Sequence, residues 1–375
     1  MKNVKEVSIF WFRRDLRLHD NHGLYQALKN SQKVLPIFIF DKNILNKLTD
    51  RKDRRVHFIY KNLVSINLDL QTEGSSLLVL HDEPLNAFKT ICDSYTIKNV
   101  YTNHDYEPYA IARDKEIEEW LRTKHIPFHS FKDQVIFEKG EVMKADGSPY
   151  TIFTPYSKVW KQKLDSNAIQ TFPSNELFSN LFKTESIPFP SLSEIGFETS
   201  HYEFPSIEVD KKLISEYHLT RNFPAINGTS LLSVHLRFGT VSIRNLVAVA
   251  RELNEQWLNE LIWRDFFMMI LFHFPYVVNK SFKRNYEHIS WINNETDFKT
   301  AIGFSNSKIS STLRYNFNKL DLGIPENGID PSVEKQTGTH KTIYPKQAVY
   351  ANIISLNNII YFKNSKVEAD LGYIS

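Results

Sequence analysis

The sequence predicts an α/β N-terminal domain, a parallel sheet with helices on both faces, followed by an all-α domain. Three observations carry this. Up to about residue 131, short and nearly continuous apolar runs alternate with helical patterns, as in a parallel sheet buried on both faces. From about 132 to 200 the chain turns to Pro, Ser, Thr and Asn, densest over Phe172–Ser200, a linker composition. From 201 to about 300 the periodicity is helical.

Taken in order, Val7–Phe12 (VSIFWF) reads as the first strand and Asn21–Asn30 as a helix. Leu35–Phe40, Ser75–Leu80, Asn99–Asn103 and Ile126–Phe131 read as further strands, with a charged helix that includes Arg113–Leu121 before the last. Ligands of such sheets bind beyond the strand C-termini, yet no Gly-rich phosphate loop follows any of these runs. Gly147–Leu164 predicts a turn, a short extended piece and a short helix, within a linker lying on the surface. The strongest helix runs roughly Leu253–Phe274, with apolar residues three and four apart, and Pro275 ends it. Residues 301–375 are polar and lack helical periodicity, which predicts a poorly ordered tail with one strand-like piece, IIYFKN. The expected organisation is 1–131, 132–200 as linker, 201–300 helical, and 301–375 apart from the rest.

Composition narrows the function classes. A length of 375 residues suggests two domains, and 42% hydrophobic with 24% charged residues is a globular balance. The 27 Phe, 17 Tyr and 6 Trp suggest a large packed interior and stacking surfaces for a planar ligand or bases. A net charge of +3 permits a nucleic-acid partner only if the charge gathers on one face. The single Cys92 excludes an intramolecular disulfide and a Cys-based metal site, and fits a reducing cytoplasm. The first apolar run is cut at Arg13, so it is neither leader nor anchor, and Phe266–Val278 is too short to span a bilayer. A cytoplasmic monomer without metal or membrane partner is expected.

Four stretches could carry chemistry. In NGTSLLSVHLRFGTVSIRNL, Gly228 lets the chain turn tightly, and Thr229, Ser230 and Ser233 present three hydroxyls around Leu231 and Leu232. Hydroxyls and free N–H groups at a helix start make a neutral phosphate cradle, although the same residues also suit a plain helix cap. In WLNELIWRDFF, Glu260, Trp263 and Arg264 share one helix face. An acid, a flat ring and a guanidinium suit a planar polar ligand, or else a surface ion pair beside a core tryptophan. Tyr217 and Arg221 lie one helical turn apart. Arg13, Arg14 and Arg17 crowd the end of the first strand, where salt bridges to later helices are the expected role.

Together and in this order, these pieces resemble the DNA photolyase and cryptochrome family. FWFRRDLRLHDNHGL is similar to the family's opening and DGSPYTIFTPYSKVW to its interdomain segment. TSLLSVHLRFGTVSIR and NELIWRDFFMMILFHFP are similar to two signatures of its flavin domain. The resemblance covers about residues 5–300. It implies an α/β antenna domain, a long linker and an all-helical FAD domain. It further implies that Tyr217 contacts FAD, that Thr229, Ser230, Leu231, Leu232 and Ser233 hold its phosphates, and that Arg264 lies near the flavin. Arg221 would lie near DNA, Glu260 would hydrogen-bond a damaged base pair, and Trp263 would pack against it. Burial in a ring-rich pocket would favour a neutral, donating Glu260. The implied reaction is light-driven: reduced, excited FAD passes an electron to a pyrimidine dimer in DNA, the ring opens and the electron returns.

The chain also departs from the family. Leu231 and Val234 stand where Arg and Pro are common, while the hydroxyls remain. Tyr109 and Ala110 replace the Asn–Glu pair of folate-binding members, so the resemblance leaves room for an antenna chromophore but does not carry folate over to this chain. Trp291 fits the outermost tryptophan of the electron relay, and no Trp follows it. The later motifs that enclose the flavin rings are not found, which implies weakened FAD binding. A cryptochrome-like light sensor and a non-enzymatic remnant that binds only DNA or a partner are the competing readings. Retained Glu260 and Trp263 favour repair over the sensor, and salt-dependent DNA binding without flavin would mark the remnant.

Overall fold

A computed structural model describes residues 5–223 and 225–289, with the backbone of two short strands at 360–362 and 365–367. The chain divides into two compact units, Met1–His218 with Ser230–Val278, and Leu219–Thr229 with Asn279–Ser375.

In the first unit, β1 (Lys5–Phe12), β2 (Val34–Asp41), β3 (Leu78–Asp82), β4 (Tyr95–Asn103) and β5 (Phe128–Phe131) form one parallel sheet in the order β3-β2-β1-β4-β5. The crossovers carry α1 (His22–Asn30), α2 (Lys42–Leu45), α3 (Arg54–Thr72), α4 (Pro84–Ser94) and α5 (Pro108–Thr123). Because successive side chains point to opposite faces, Phe10 and Phe12 enter one core while Ile9 and Trp11 enter the other. Both faces are covered, so β1 is buried continuously from Val7 to Phe12 rather than at alternate positions. Asn21 and Asp53 cap α1 and α3 by accepting a backbone N–H, and Pro84 and Pro108 open α4 and α5, where a missing N–H costs nothing.

Two expectations are corrected here. The third strand begins at Leu78 rather than Ser75, because Ser76 Oγ (3.2 Å) and Leu77 N–H (2.8 Å) both donate to Asn67 Oδ1, which holds that segment against α3. The connection after β5 is also not simply a surface linker. It contains α6 (Phe153–Lys163), whose Tyr156 and Trp160 are fully buried, and Phe182 N–H donates to Val34 O at 2.8 Å.

The helical part of this unit comprises most of α7 (Lys211–Thr220), then α8 (Ser233–Phe238), α9 (Ile243–Leu253) and α10 (Glu255–His273). Gly239 ends α8 with φ +66°, and a Cβ there would lie 2.6 Å from Asp15 Cα. Only glycine permits both that dihedral and that approach to the end of β1.

In the second unit the described residues comprise a loop over Leu219–Thr229, a short turn at Arg284–His288 and an antiparallel pair, Ile360–Phe362 with Ser365–Val367. Thr220 Oγ1 donates to Gly228 O at 3.1 Å, and a Cβ on Gly228 would meet Thr220 Cβ at 2.6 Å. Gly228 is therefore needed for close packing. Leu231, three residues on, has a left-handed backbone with φ +52°. Trp291 and all of the expected tail except the strands at 360–362 and 365–367 lie outside the described residues.

Candidate functional site

α10 starts where it does because Asn254 Oδ1 accepts the N–H groups of Gln256 (2.9 Å) and Trp257 (3.1 Å). Asn254 Nδ2 also donates to Ser215 O (3.0 Å) and contacts His218 Nδ1 (2.9 Å), which ties α7, the helix of Tyr217, to the start of α10. Trp257, Leu258, Leu261, Ile262 and Phe266 are buried, while Gln256, Glu260, Trp263 and Phe267 form a half-buried stripe. The Trp263 ring lies face to face with Phe153, 3.6 Å between centroids and 4° between planes. Phe267 lies near-parallel to it at 5.4 Å, and Phe266 meets it edge-on at 5.6 Å. Trp263 is thus held in a fixed plane by a residue of the interdomain segment.

Arg264 turns inward rather than joining a surface ion pair. It is 7% exposed, donates from Nη1 to Gln134 O and from Nη2 to Leu236 O (3.3 Å), and so joins α10 to α8 and to the segment after β5. Burial pushes its guanidinium down to about 10 despite the neighbouring Asp265. Asp265 is buried too, and Oδ2 accepts from Ile136 N (3.0 Å), Phe137 N (3.3 Å) and Trp160 Nε1 (3.0 Å). Burial raises the Asp265 carboxyl to about 6, outweighing Arg264 at 4.0 Å and the three donors.

The ends of β1 and β4, where the strand order changes direction, are closed by helical residues. Leu16 N–H donates to Phe238 O (3.0 Å) and Arg17 Nη1 to Gly239 O (2.9 Å). Asp133 accepts from both Arg17 (2.7 Å) and Arg244 (2.8 Å), and Arg244 also pairs with Asp20 (2.9 Å). Glu107 bridges Arg14 and Arg237, each at 2.7 Å. Burial works against ionisation of Asp133, but the two guanidiniums hold its carboxyl far below the usual range. The N-terminal arginines thus have the structural role expected of them.

Of the expected phosphate stretch, Ser230 is half-buried, Leu231 and Ser233 are exposed and Leu232 is buried. Ser233 opens α8, whose Leu236 accepts from Arg264, so the structure brings this end of the stretch beside α10. The donor chemistry, hydroxyls without a fixed charge, fits a diphosphate. Tyr217, Arg221 and Thr229 are half-buried. Tyr109 donates from its hydroxyl to Asp41 Oδ2 at 2.6 Å, and Ala110 is buried.

Sequence reasoning missed Phe153, Asp265, Asp133 and Gly239. Phe153 lay inside a quoted motif, but nothing local paired it with a ring 110 positions away. Asp265 carried a readable signal, an acid set in the apolar run of α10 one residue after Arg264.

Comparison with known proteins agrees with this arrangement of a sheet half, a connecting segment and a helical half. Residues 8–176 match the family model for DNA photolyase, and residues 257–307 match that for the FAD binding domain of DNA photolyase. The deoxyribodipyrimidine photo-lyase of Alkalihalophilus pseudofirmus is 30% identical over 325 residues, 79% of this chain and 66% of that protein. The photo-lyase of a Synechococcus strain is 29% identical, covering 77% of this chain and 65% of that protein. An uncharacterized 31.6 kDa protein of another Synechococcus strain is 31% identical, covering 69% of this chain and 99% of that protein. Among solved structures, a bacterial class III photolyase from Agrobacterium tumefaciens superposes with a TM-score of 0.66 at 23% identity, over 80% of this chain and 66% of that one. An archaeal photolyase from Sulfolobus tokodaii with two FAD molecules gives 0.58 at 28% identity, over 78% and 66%. The fold, a sheet half joined to a helical half, is that of the photolyases it superposes on. The chain belongs to the DNA photolyase and cryptochrome family. It spans about 65% of the length of the photo-lyases it matches. Among the described residues, no helix is long and apolar enough to cross a membrane.

Proposed function

We propose that this chain is a photolyase-like protein that uses FAD and light to repair pyrimidine dimers in DNA. The observation that carries the reading is the stripe on α10, where Glu260 stands one turn from a Trp263 already stacked on Phe153. FAD, when bound, supplies the light-absorbing electron donor. Thr229, Ser230 and Ser233 would hold its phosphates, with Tyr217 on α7 against it. The role of Arg264 in this reading is to fix α10 against α8, beside that cradle. Trp263 packs on the lesion and Glu260 hydrogen-bonds it once it has left the helix stack. Damage weakens base stacking, which lowers the cost of flipping. Arg221 lies near the DNA. Residues 1–131 serve as antenna domain, 132–200 as linker and 201–300 as part of the flavin domain.

The test has two stages. The full chain is reconstituted with FAD, then denatured in the dark, and released flavin is measured by fluorescence. Released FAD that rises with the FAD supplied, as for a weakened site, is expected. Light-dependent loss of dimers from an oligonucleotide is then compared in the parent and in Trp263→Leu. Loss of ring stacking, worth about 1–3 kcal/mol, should weaken binding of dimer-containing DNA roughly 5- to 150-fold and leave undamaged DNA unchanged. A chain that takes up no flavin, or an equal loss on both DNAs, would overturn the reading.

A further inference from the structure

We infer that a single water molecule is built into the seam between the sheet and the helices, held by Arg14, Arg17 and Gln134. A cavity of about 10 Å³ lies there, with Asp133, Gly239 and Arg264 also in its wall. That size is at the lower limit for one water. Three buried polar atoms of residues lining it, Arg14 Nη2, Arg17 Nε and Gln134 Oε1, have no hydrogen-bond partner among the described residues. Elsewhere on these same side chains the hydrogen bonds are made. Arg14 Nη1 reaches Glu107 (2.7 Å), Arg17 Nη2 reaches Asp133 (2.7 Å), and Gln134 Nε2 donates to His104 O (2.9 Å).

The chemistry of the three atoms selects the occupant. Two are N–H donors and one is a carbonyl acceptor. The acceptor cannot be exchanged for a donor by flipping the amide, because Oε1 would then face the His104 carbonyl. A small anion would meet that fixed lone pair. It would also enter a site whose two arginines are already matched by carboxylates, Arg17 by Asp133 and Arg14 by Glu107. A cation would meet the guanidiniums. Water accepts from both arginines and donates to Gln134, satisfying three groups whose burial unpaired is costly. The site therefore takes one neutral hydrogen-bonding molecule, and it joins the end of β1 to the segment after β5 beneath the turn at Gly239.

The test is a crystal structure of the full chain at a resolution that shows ordered water, with a second crystal soaked in bromide. A density peak within about 3.2 Å of all three atoms, without anomalous signal from bromide, is expected. A bromide signal there would make it an anion site, and a cavity without density would make it a dry void; either overturns the inference. Gln134→Met removes the acceptor at similar volume. It should abolish the peak and lower Tm by about 2–10 °C. If that variant keeps the peak and its Tm, Gln134 is not a ligand. Should it not fold, the parent crystal decides alone.

Discussion

Asp133→Asn tests whether the sheet and helices are held together by buried charge. The Asp133 side chain is 0% exposed and its neighbours Arg17 and Arg244 are 8% and 5% exposed. Oδ1 accepts from Arg17, from Arg244 and from His22 N–H (3.1 Å), while Oδ2 accepts from Arg17 at 2.7 Å. An asparagine keeps the shape but loses the charge, and turns the Oδ2 acceptor into a donor facing the Arg17 guanidinium. Breaking a buried pair from one side costs about 3–5 kcal/mol. Arg244 retains Asp20 at 2.9 Å, so the lower end, about 3 kcal/mol, is expected. That corresponds to a fall in Tm of roughly 6–12 °C. The sign with pH follows from the depressed carboxyl. Its contribution is complete above the unfolded value near about 4 and is lost as pH falls toward the folded value, so the variant should lose less stability than the parent on acidification. The assay is urea unfolding followed by circular dichroism near neutral pH and in acid. Glu255→Gln serves as control, because its partner Lys161 lies at 2.6 Å but Glu255 is 75% exposed, and such a pair contributes under about 1 kcal/mol. If the two variants lose similar stability, the seam is not held by its buried charges.

Asp265→Asn should change the pH profile in the opposite sense. The folded carboxyl sits at about 6, above its unfolded value, so the folded state holds the extra proton between the two. Parent stability should therefore decline as pH rises from about 4 through about 6, by up to about 3 kcal/mol, and the variant should lack that decline. Parallel profiles in melts across this range would refute the assignment. Gly239→Ala should cost more than about 2 kcal/mol, because it adds a side chain at φ +66° against the backbone of Arg14 and Asp15. A soluble variant with parental Tm would show that the α8 turn is not packed on β1 as described.

How much of this was legible in sequence depends on the distance over which each feature is encoded. The sheet was legible because a strand buried on both faces is largely apolar, and β1 from Val7 to Phe12 and β2 from Val34 to Phe40 follow that rule, whereas β4 follows it only in part. The α10 stripe was legible because Glu260 and Trp263 are one turn apart on one helix. The Trp263–Phe153 stack was not, since neither ring specifies the other and only the fold brings them to 3.6 Å. The inward turn of Arg264 was misread for a related reason. Spacing put an acid and a base on one face, but the carbonyls of Gln134 and Leu236 that draw the guanidinium in belong to segments about 130 and 28 residues away.

The seam shows why charged motifs are the hardest to read. FRRDLRLHD interleaves acids among arginines, and salt bridges to later helices were expected of it without any signal naming their partners. In the fold those charges are shared out: Asp20 to Arg244, Arg17 to Asp133, and Arg14 to Glu107. Each pair crosses roughly 90 to 220 residues of chain, so none exists until distant segments have come together, and Asp20–Arg244 needs both halves. Exposed pairs would add little. Buried ones penalise every arrangement in which one partner is missing, so the seam fixes one relative position of β1, α8 and α9. That position sets Leu236 beside Arg264, and Arg264 fixes α10 between α8 and the segment after β5. The geometry of Glu260 and Trp263 is in this sense inherited from ion pairs at the N-terminal end of the chain.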